Sequence, residues 1–260
     1  MDPVNLSALH TSLKYLGFGE NTPLNTILEE EVKCERPVFD LYTEAFFDEE
    51  TKLEAKLNFS RSKTTDRYFF NRYTALLRYP DNPDKDKQQI FYIDKSRFGV
   101  TFKEAFNLLQ GRSVYKKLTR KDGEKYMSWI RLDFAEKTRA GNHKIKYLFD
   151  RFALEKTLAK YKIRELDLEP LKEQIIRSLQ RGNLHPVTYT LASNKMERKY
   201  IYANPETNTI VNLSVATRAA GKAGPVSITD IPDPDPTDNE PVNDAIFDED
   251  VSTSLKRAHL

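Results

Sequence analysis

Apolar positions along the chain change period several times, and each change marks an element. Leu6, Leu9, Leu13 and Leu16 recur at helical spacing until Gly17 and Gly19 end the run. A second helix is predicted near Thr22-Pro23, carrying Leu24, Ile27 and Leu28 and then the acidic run Glu29-Glu30-Glu31. The period then drops to two. Phe39, Leu41, Ala45 and Phe47 fall at even spacings. Leu53, Ala55, Leu57 and Phe59 alternate with Lys52, Glu54, Lys56 and Asn58. Such alternation describes strands that are buried on one side and solvated on the other. Asp48 to Thr51 is the predicted turn between them. Residues 67–79 and 89–93 read as two further strands around the loop Pro80 to Asp84. The expected unit is an antiparallel meander with the N-terminal helices packed on one face.

Thr101-Phe102-Lys103-Glu104 has the form of a capping box, and Gly111 closes the helix it opens. Strands are then predicted at 114–118, 125–134 and 143–149, with Lys121-Asp122-Gly123 as a turn. A short helix follows at 154–161, and a clearer one is marked by Leu168, Leu171, Ile175, Ile176 and Leu179. A hairpin at 187–192 and 196–203 and a strand at 209–213 complete the pattern. The predicted class is α+β: helices and a β-meander over 1–98, a mixed region with hairpins over 99–224, and a tail over 225–260.

Charge sharpens this division. The chain of 260 residues is nearly neutral at +2. Residues 1–98 nevertheless carry −3, residues 99–224 carry +12, and residues 225–260 carry −7. The last block holds five prolines and nine acidic residues between Pro225 and Asp250, a composition that predicts disorder. Ile246 and Phe247 interrupt it and are a candidate partner-binding motif. The absence of a long apolar run argues against a membrane span. A lone Cys34 excludes an intrachain disulfide framework. With no basic-then-apolar leader pattern at Met1 to Val4, the expected location is the cytoplasm.

Three segments carry a resemblance. They are Lys14 to Glu20, Thr101 to Leu118 (TFKEAFNLLQGRSVYKKL), and Gly182-Asn183-Leu184 with Tyr202-Ala203-Asn204-Pro205. Together with Lys125-Tyr126, Trp129 and Leu132-Asp133-Phe134 they resemble a family of uncharacterised proteins of bacterial conjugative transposons and related mobile elements. The resemblance covers most of residues 5–215. It implies a setting of DNA mobility; some members of the family combine the domain with DNA-processing domains such as a type IA topoisomerase. It supplies no catalytic residue.

Catalytic signatures are sparse. His10, His143, His185 and His259 lack metal-ligand spacing, and no nucleophile elbow or phosphate-binding glycine loop occurs. No cofactor or metal is expected. One metal-nuclease pattern exists: Asp40, then Glu54-Ala55-Lys56 on the next strand. Glu197-Arg198-Lys199 has the same form without an upstream acid. Ordinary solvent-facing alternation explains both.

Binding fits the residues better. Between Arg112 and Lys146 there are 11 basic and 4 acidic residues. Candidate nucleic-acid contacts are Arg112, Lys116, Lys117, Arg120, Lys121, Lys125, Arg131, Lys144 and Lys146, with Tyr115 and Tyr147 as stacking rings. Tyr126 and Trp129 lie among them, and Trp129 is read first as core because it alternates with Ile130 and Leu132. The expected function is that of a non-catalytic mobile-element accessory protein. It would bind DNA or RNA, single strands above all, through residues 112–146, with the acidic tail modulating that surface. The alternative is a protein-interaction module engaging an element-encoded or host-defence partner.

Overall fold

The computed structural model describes residues 3–20, 22–93, 99–120, 122–149 and 152–214. The tail from residue 225, its Ile246–Phe247 pair, and Lys121 lie outside the described residues. Among those described, five α-helices and ten strands form an α+β fold with three antiparallel sheets.

Helices α1 (Pro3–Tyr15) and α2 (Pro23–Lys33) place Leu9, Leu13, Leu24, Leu28 and Val32 against the first sheet. That sheet is a meander of β1 (Val38–Ala45), β2 (Lys52–Arg61), β3 (Tyr68–Arg78) and β4 (Lys87–Tyr92). Alternation along β2 works as the sequence predicts. Leu53, Ala55, Leu57 and Phe59 are all buried, and the intervening polar residues face out. Phe59 stacks between Phe39, 5.1 Å away, and Phe70, 4.7 Å away. Asp48 makes the β1–β2 turn by accepting hydrogen bonds from the Glu50 and Thr51 amides at 3.1 and 2.7 Å.

Helix α3 (Phe102–Leu109) starts at the predicted box. The Glu104 amide donates to Thr101 Oγ1 at 3.3 Å, and the Thr101 amide donates to Glu104 Oε2 at 2.9 Å. Seven of its eight residues are buried, because the helix lies between the first sheet and the second. The second sheet is β5 (Val114–Thr119), β6 (Lys125–Lys137) and β7 (His143–Phe149), with β7 on the outside. The third sheet comprises β8 (His185–Thr190), β9 (Met196–Asn204) and β10 (Thr209–Ser214), with β9 in the middle. Helices α4 (Leu154–Leu158) and α5 (Glu169–Gln180) pack on it. The predicted helix at 154–161 is shorter than its apolar pattern suggested.

Strand β6 joins two cores. Ile130 and Leu132 point into a cluster that contains α1, α2, α3 and the first sheet. Trp129, just before them, points the other way into a cluster with Phe152, Leu158, Ile175, Leu179, Val187 and Ile201. Both faces of this strand are therefore core along these residues. The first cluster runs past residue 98 through α3 to Leu132.

A polar joint ties α3 to the end of α5. The Asn107 side-chain amide donates to the Arg181 carbonyl at 2.7 Å and to Asn183 Oδ1 at 2.8 Å. Arg112 Nε donates to the Gly182 carbonyl at 2.7 Å, and another guanidinium nitrogen donates to Asn107 Oδ1. Gly182 adopts φ +76°, and a Cβ there would lie 2.8 Å from the Ser113 carbonyl oxygen. Only glycine fits both the left-handed backbone and this close approach.

Candidate nucleic-acid interface

The pairing register decides what the basic stretch 112–146 can present. Residues directly opposite each other share a face. Val114 pairs with Ile130 and Tyr147, while Tyr115 pairs with Trp129 and Leu148. Lys116, Tyr126, Ile145, Tyr147 and Phe149 consequently lie on one face. Tyr115, Lys117, Lys125, Arg131, Lys144 and Lys146 lie on the other. The candidate contacts do not form one surface.

Several of them are engaged within the fold. Arg112 holds the α3–α5 joint and lies over the Phe106 ring at 5.4 Å. Lys116 bonds Glu104 at 2.8 and 3.2 Å, and the two side chains are only 15% and 9% exposed. Tyr115 packs against Trp129 at a centroid distance of 5.1 Å beside the second core. Arg131 pairs with Glu206, from the β9–β10 turn. Lys146 bonds Asp133 at 3.1 Å and lies 3.7 Å from Glu206. Lys144 bonds Glu136 at 2.6 Å. Two consequences show in the titration of these groups. The Lys146 hydrogen bond holds the Asp133 carboxyl below its usual range. The Glu136 carboxylate raises the Lys144 ammonium. Lys117 and Lys125 are exposed toward the β5–β6 turn.

The other face carries the exposed rings. Along β7, Ile145 is 36% exposed, Tyr147 48% and Phe149 59%. Tyr126 stacks beside Phe149 with centroids 6.1 Å apart and planes 25° apart. Arg120 lies over the Tyr126 ring at 5.1 Å and pairs with Glu124. Partial burial, and then the neighbouring Tyr126, raise the Tyr147 phenol above its ordinary value. Three aromatic rings and one isoleucine thus form an apolar row on the edge strand β7 and the neighbouring end of β6, with a guanidinium at its end. Phe149 and Ile145 escaped sequence reasoning, although their period of two with Tyr147 was visible.

The nuclease pattern does not assemble. Asp40 lies opposite Asn58, four residues along β2 from Glu54, so the two carboxylates are separated by roughly 13 Å. Asp40 instead accepts from Asn58 at 2.8 Å and Lys56 at 3.0 Å. Glu54 sits between Lys52 at 2.8 Å and Arg78 at 3.2 Å. No grouping of three His, Cys, Asp or Glu suited to a metal ion occurs among the described residues. Glu197 pairs with Lys199 at 3.2 Å. On α5, Lys172 and Arg177 pair with Glu169 and Glu173. An open cleft beside α4 and α5 is lined by Lys162, Arg164 and Lys172 but also by Glu155 and Asp167, so it presents no single sign of charge.

Comparison with protein-family models, curated proteins and solved structures gave no match. No helix among the described residues is long and apolar enough to cross a membrane.

Proposed function

We propose that this protein is a non-catalytic nucleic-acid-binding accessory protein of a mobile element, and that it takes single strands on the β6–β7 face. The observation that carries the reading is the pair of exposed rings Tyr147 and Phe149, with the half-buried Tyr126 stacked beside Phe149, in a segment with a large excess of lysine and arginine. Bases stack on such rings with little sequence preference, at about 1–3 kcal/mol per base. The surrounding positive field attracts phosphate through counterion release. The ion pairs found on the opposite face moderate that field without cancelling it. Exposed pairs are worth about 0–1 kcal/mol, so a phosphate can replace the carboxylate. The mobile-element setting rests on the resemblance of the segments described above.

The test is fluorescence anisotropy with labelled single- and double-stranded oligonucleotides at two salt concentrations. Preferential, salt-sensitive binding of the single strand is expected. Equal affinity for both forms, or none at low salt, would overturn the reading.

A second reading has its own supporting observation. Strand β7 is an edge strand of its sheet; Gln89 of β4 bonds its His143 backbone, and beyond that end no strand pairs with it among the described residues, so its apolar row suits a protein partner that adds a strand.

A further inference from the structure

We infer that two copies of this chain pair β7 with β7 about a two-fold axis, residues 145–149 of one running antiparallel to those of the other, and so join their second sheets. The inference rests on the second reading above and names its partner. One end of the β7 edge is closed. The His143 amide donates to Gln89 Oε1 at 2.8 Å, and its carbonyl accepts from Gln89 Nε2 at 3.2 Å. Both groups turn away from β6. Alternation therefore turns the backbone groups of Ile145, Tyr147 and Phe149 outward as well, and those of Lys144, Lys146 and Leu148 toward β6. From Ile145 onward no strand pairs with the outward set among the described residues.

This stretch is complementary to itself in one register. With Tyr147 on the axis, it faces its own counterpart, and Ile145 faces Phe149 on either side. Each of these pairs can exchange both backbone hydrogen bonds. The apolar row, exposed in the single chain, then continues unbroken across the axis. On the opposite face Lys146 meets Leu148 and not a second lysine. Its charge is already balanced by Asp133 and Glu206 of its own copy. Other registers do worse. Centring on Lys146 sets the two Lys146 side chains together and sends Phe149 to His143, whose backbone groups are taken. Centring on Leu148 parts Ile145 from Phe149.

A two-fold contact needs only one surface, the same in both copies. The other outer strand of the meander, β1, is less suited. Its exposed Val38 and Tyr42 are interrupted by Asp40 and Glu44, so copies of it share no unbroken apolar row. Joining at β7 also sets the Tyr126, Tyr147 and Phe149 rings of both copies on one face of one sheet. That this lengthens the single strand they take rests on the nucleic-acid reading, but the pairing itself does not.

The test is sedimentation velocity of the full-length chain from low micromolar to submillimolar concentration, with residue-resolved hydrogen exchange at both extremes. So short an edge belongs among interfaces of under about 1,200 Å², so a dimer that dissociates on dilution is expected. At high concentration the Ile145, Tyr147 and Phe149 amides should exchange at least about tenfold more slowly than at low concentration. The Lys144, Lys146 and Leu148 amides should not change and report an intact fold. Ile145→Pro removes an outward donor and no bond to β6, and should give a folded monomer that keeps all three rings. Tyr147→Lys and Tyr147→Glu should each be monomeric alone and dimerise when mixed, because position 147 faces itself. A monomer at every concentration, a dimer that survives Ile145→Pro, or a mixture of the two Tyr147 variants that stays monomeric would overturn the inference. Slow exchange of the outward amides that is indifferent to dilution would overturn it together with the second reading, since the single chain would already fill its edge. Oligonucleotide affinity is read separately on the same proteins. A dimer that binds no oligonucleotide would leave the pairing standing and remove the nucleic-acid reading.

Discussion

Replacing Lys116 by alanine separates a structural lysine from a binding one. Its ammonium is 2.8 Å from a Glu104 oxygen, and both side chains are largely shielded from water. Glu104 is also the N3 residue of the capping box that starts α3. Lys116→Ala would leave this carboxylate buried without its cation between two sheets. Breaking such a pair costs about 3–5 kcal/mol, mainly as the desolvation of the abandoned charge. For a chain of this size that corresponds to a fall in melting temperature of roughly 10 °C. The double variant Lys116→Met with Glu104→Gln removes both charges. Glutamine can still accept from the Thr101 amide and keep the box, so this variant should lie within about 2 kcal/mol of the wild type. The assay is urea denaturation of the single and double variants, read as a cycle. A loss under about 1 kcal/mol for Lys116→Ala would refute the reasoning, because the carboxylate would then be served by water. Oligonucleotide affinity of the folded Lys116→Ala protein should match the wild type.

Other consequences follow from the same geometry. Gly182→Ala forces a Cβ to within 2.8 Å of the Ser113 carbonyl at φ +76°, so thermal denaturation should show a loss of at least about 1–2 kcal/mol. Burial, reinforced by Lys137 and Lys87, lowers the His143 imidazole pKa below 6.5. The unfolded chain therefore takes up a proton below about pH 6.5 that the folded chain refuses, and stability should decline as pH falls from there toward the lowered pKa. His185, lowered mainly by burial, acts in the same direction. Melting temperatures at pH 7.5 and 5.5 should thus differ less in His143→Gln than in the wild type, but still differ. Glu206→Gln removes the carboxylate shared by Arg131 and Lys146. Anisotropy should show tighter oligonucleotide binding and a steeper salt dependence than in the wild type.

Much of the fold was legible because local signals agreed with one another. The Thr101–Glu104 box, the alternation of Leu53 to Phe59 and the glycine stops at 111 and 182 each acted as their chemistry predicts. The site was less legible for two physical reasons. A run of basic residues says nothing about faces until the register is known, and the register sends Lys116 and Lys117 to opposite sides. The partners that occupy those cations are remote in sequence. Glu206 reaches Arg131 across 75 positions, and Gly182 meets Arg112 across 70. Arg112 is the first cation of the basic stretch, yet its side chain holds a joint between helices. The exposed row on β7 was written in the sequence as Ile145, Tyr147 and Phe149. Only its place on an outer strand separates it from a core-facing pattern of the same period.

The central claim is that the β6–β7 rings receive a single strand. Its most direct measurement is the affinity of a Tyr147→Ala, Phe149→Ala double variant for a labelled single-stranded oligonucleotide, with the melting temperature taken on the same sample. The account predicts that the folded variant binds at least about tenfold more weakly while its salt dependence stays that of the wild type, since stacking is lost and phosphate contacts are kept. Wild-type affinity in the folded variant would contradict it.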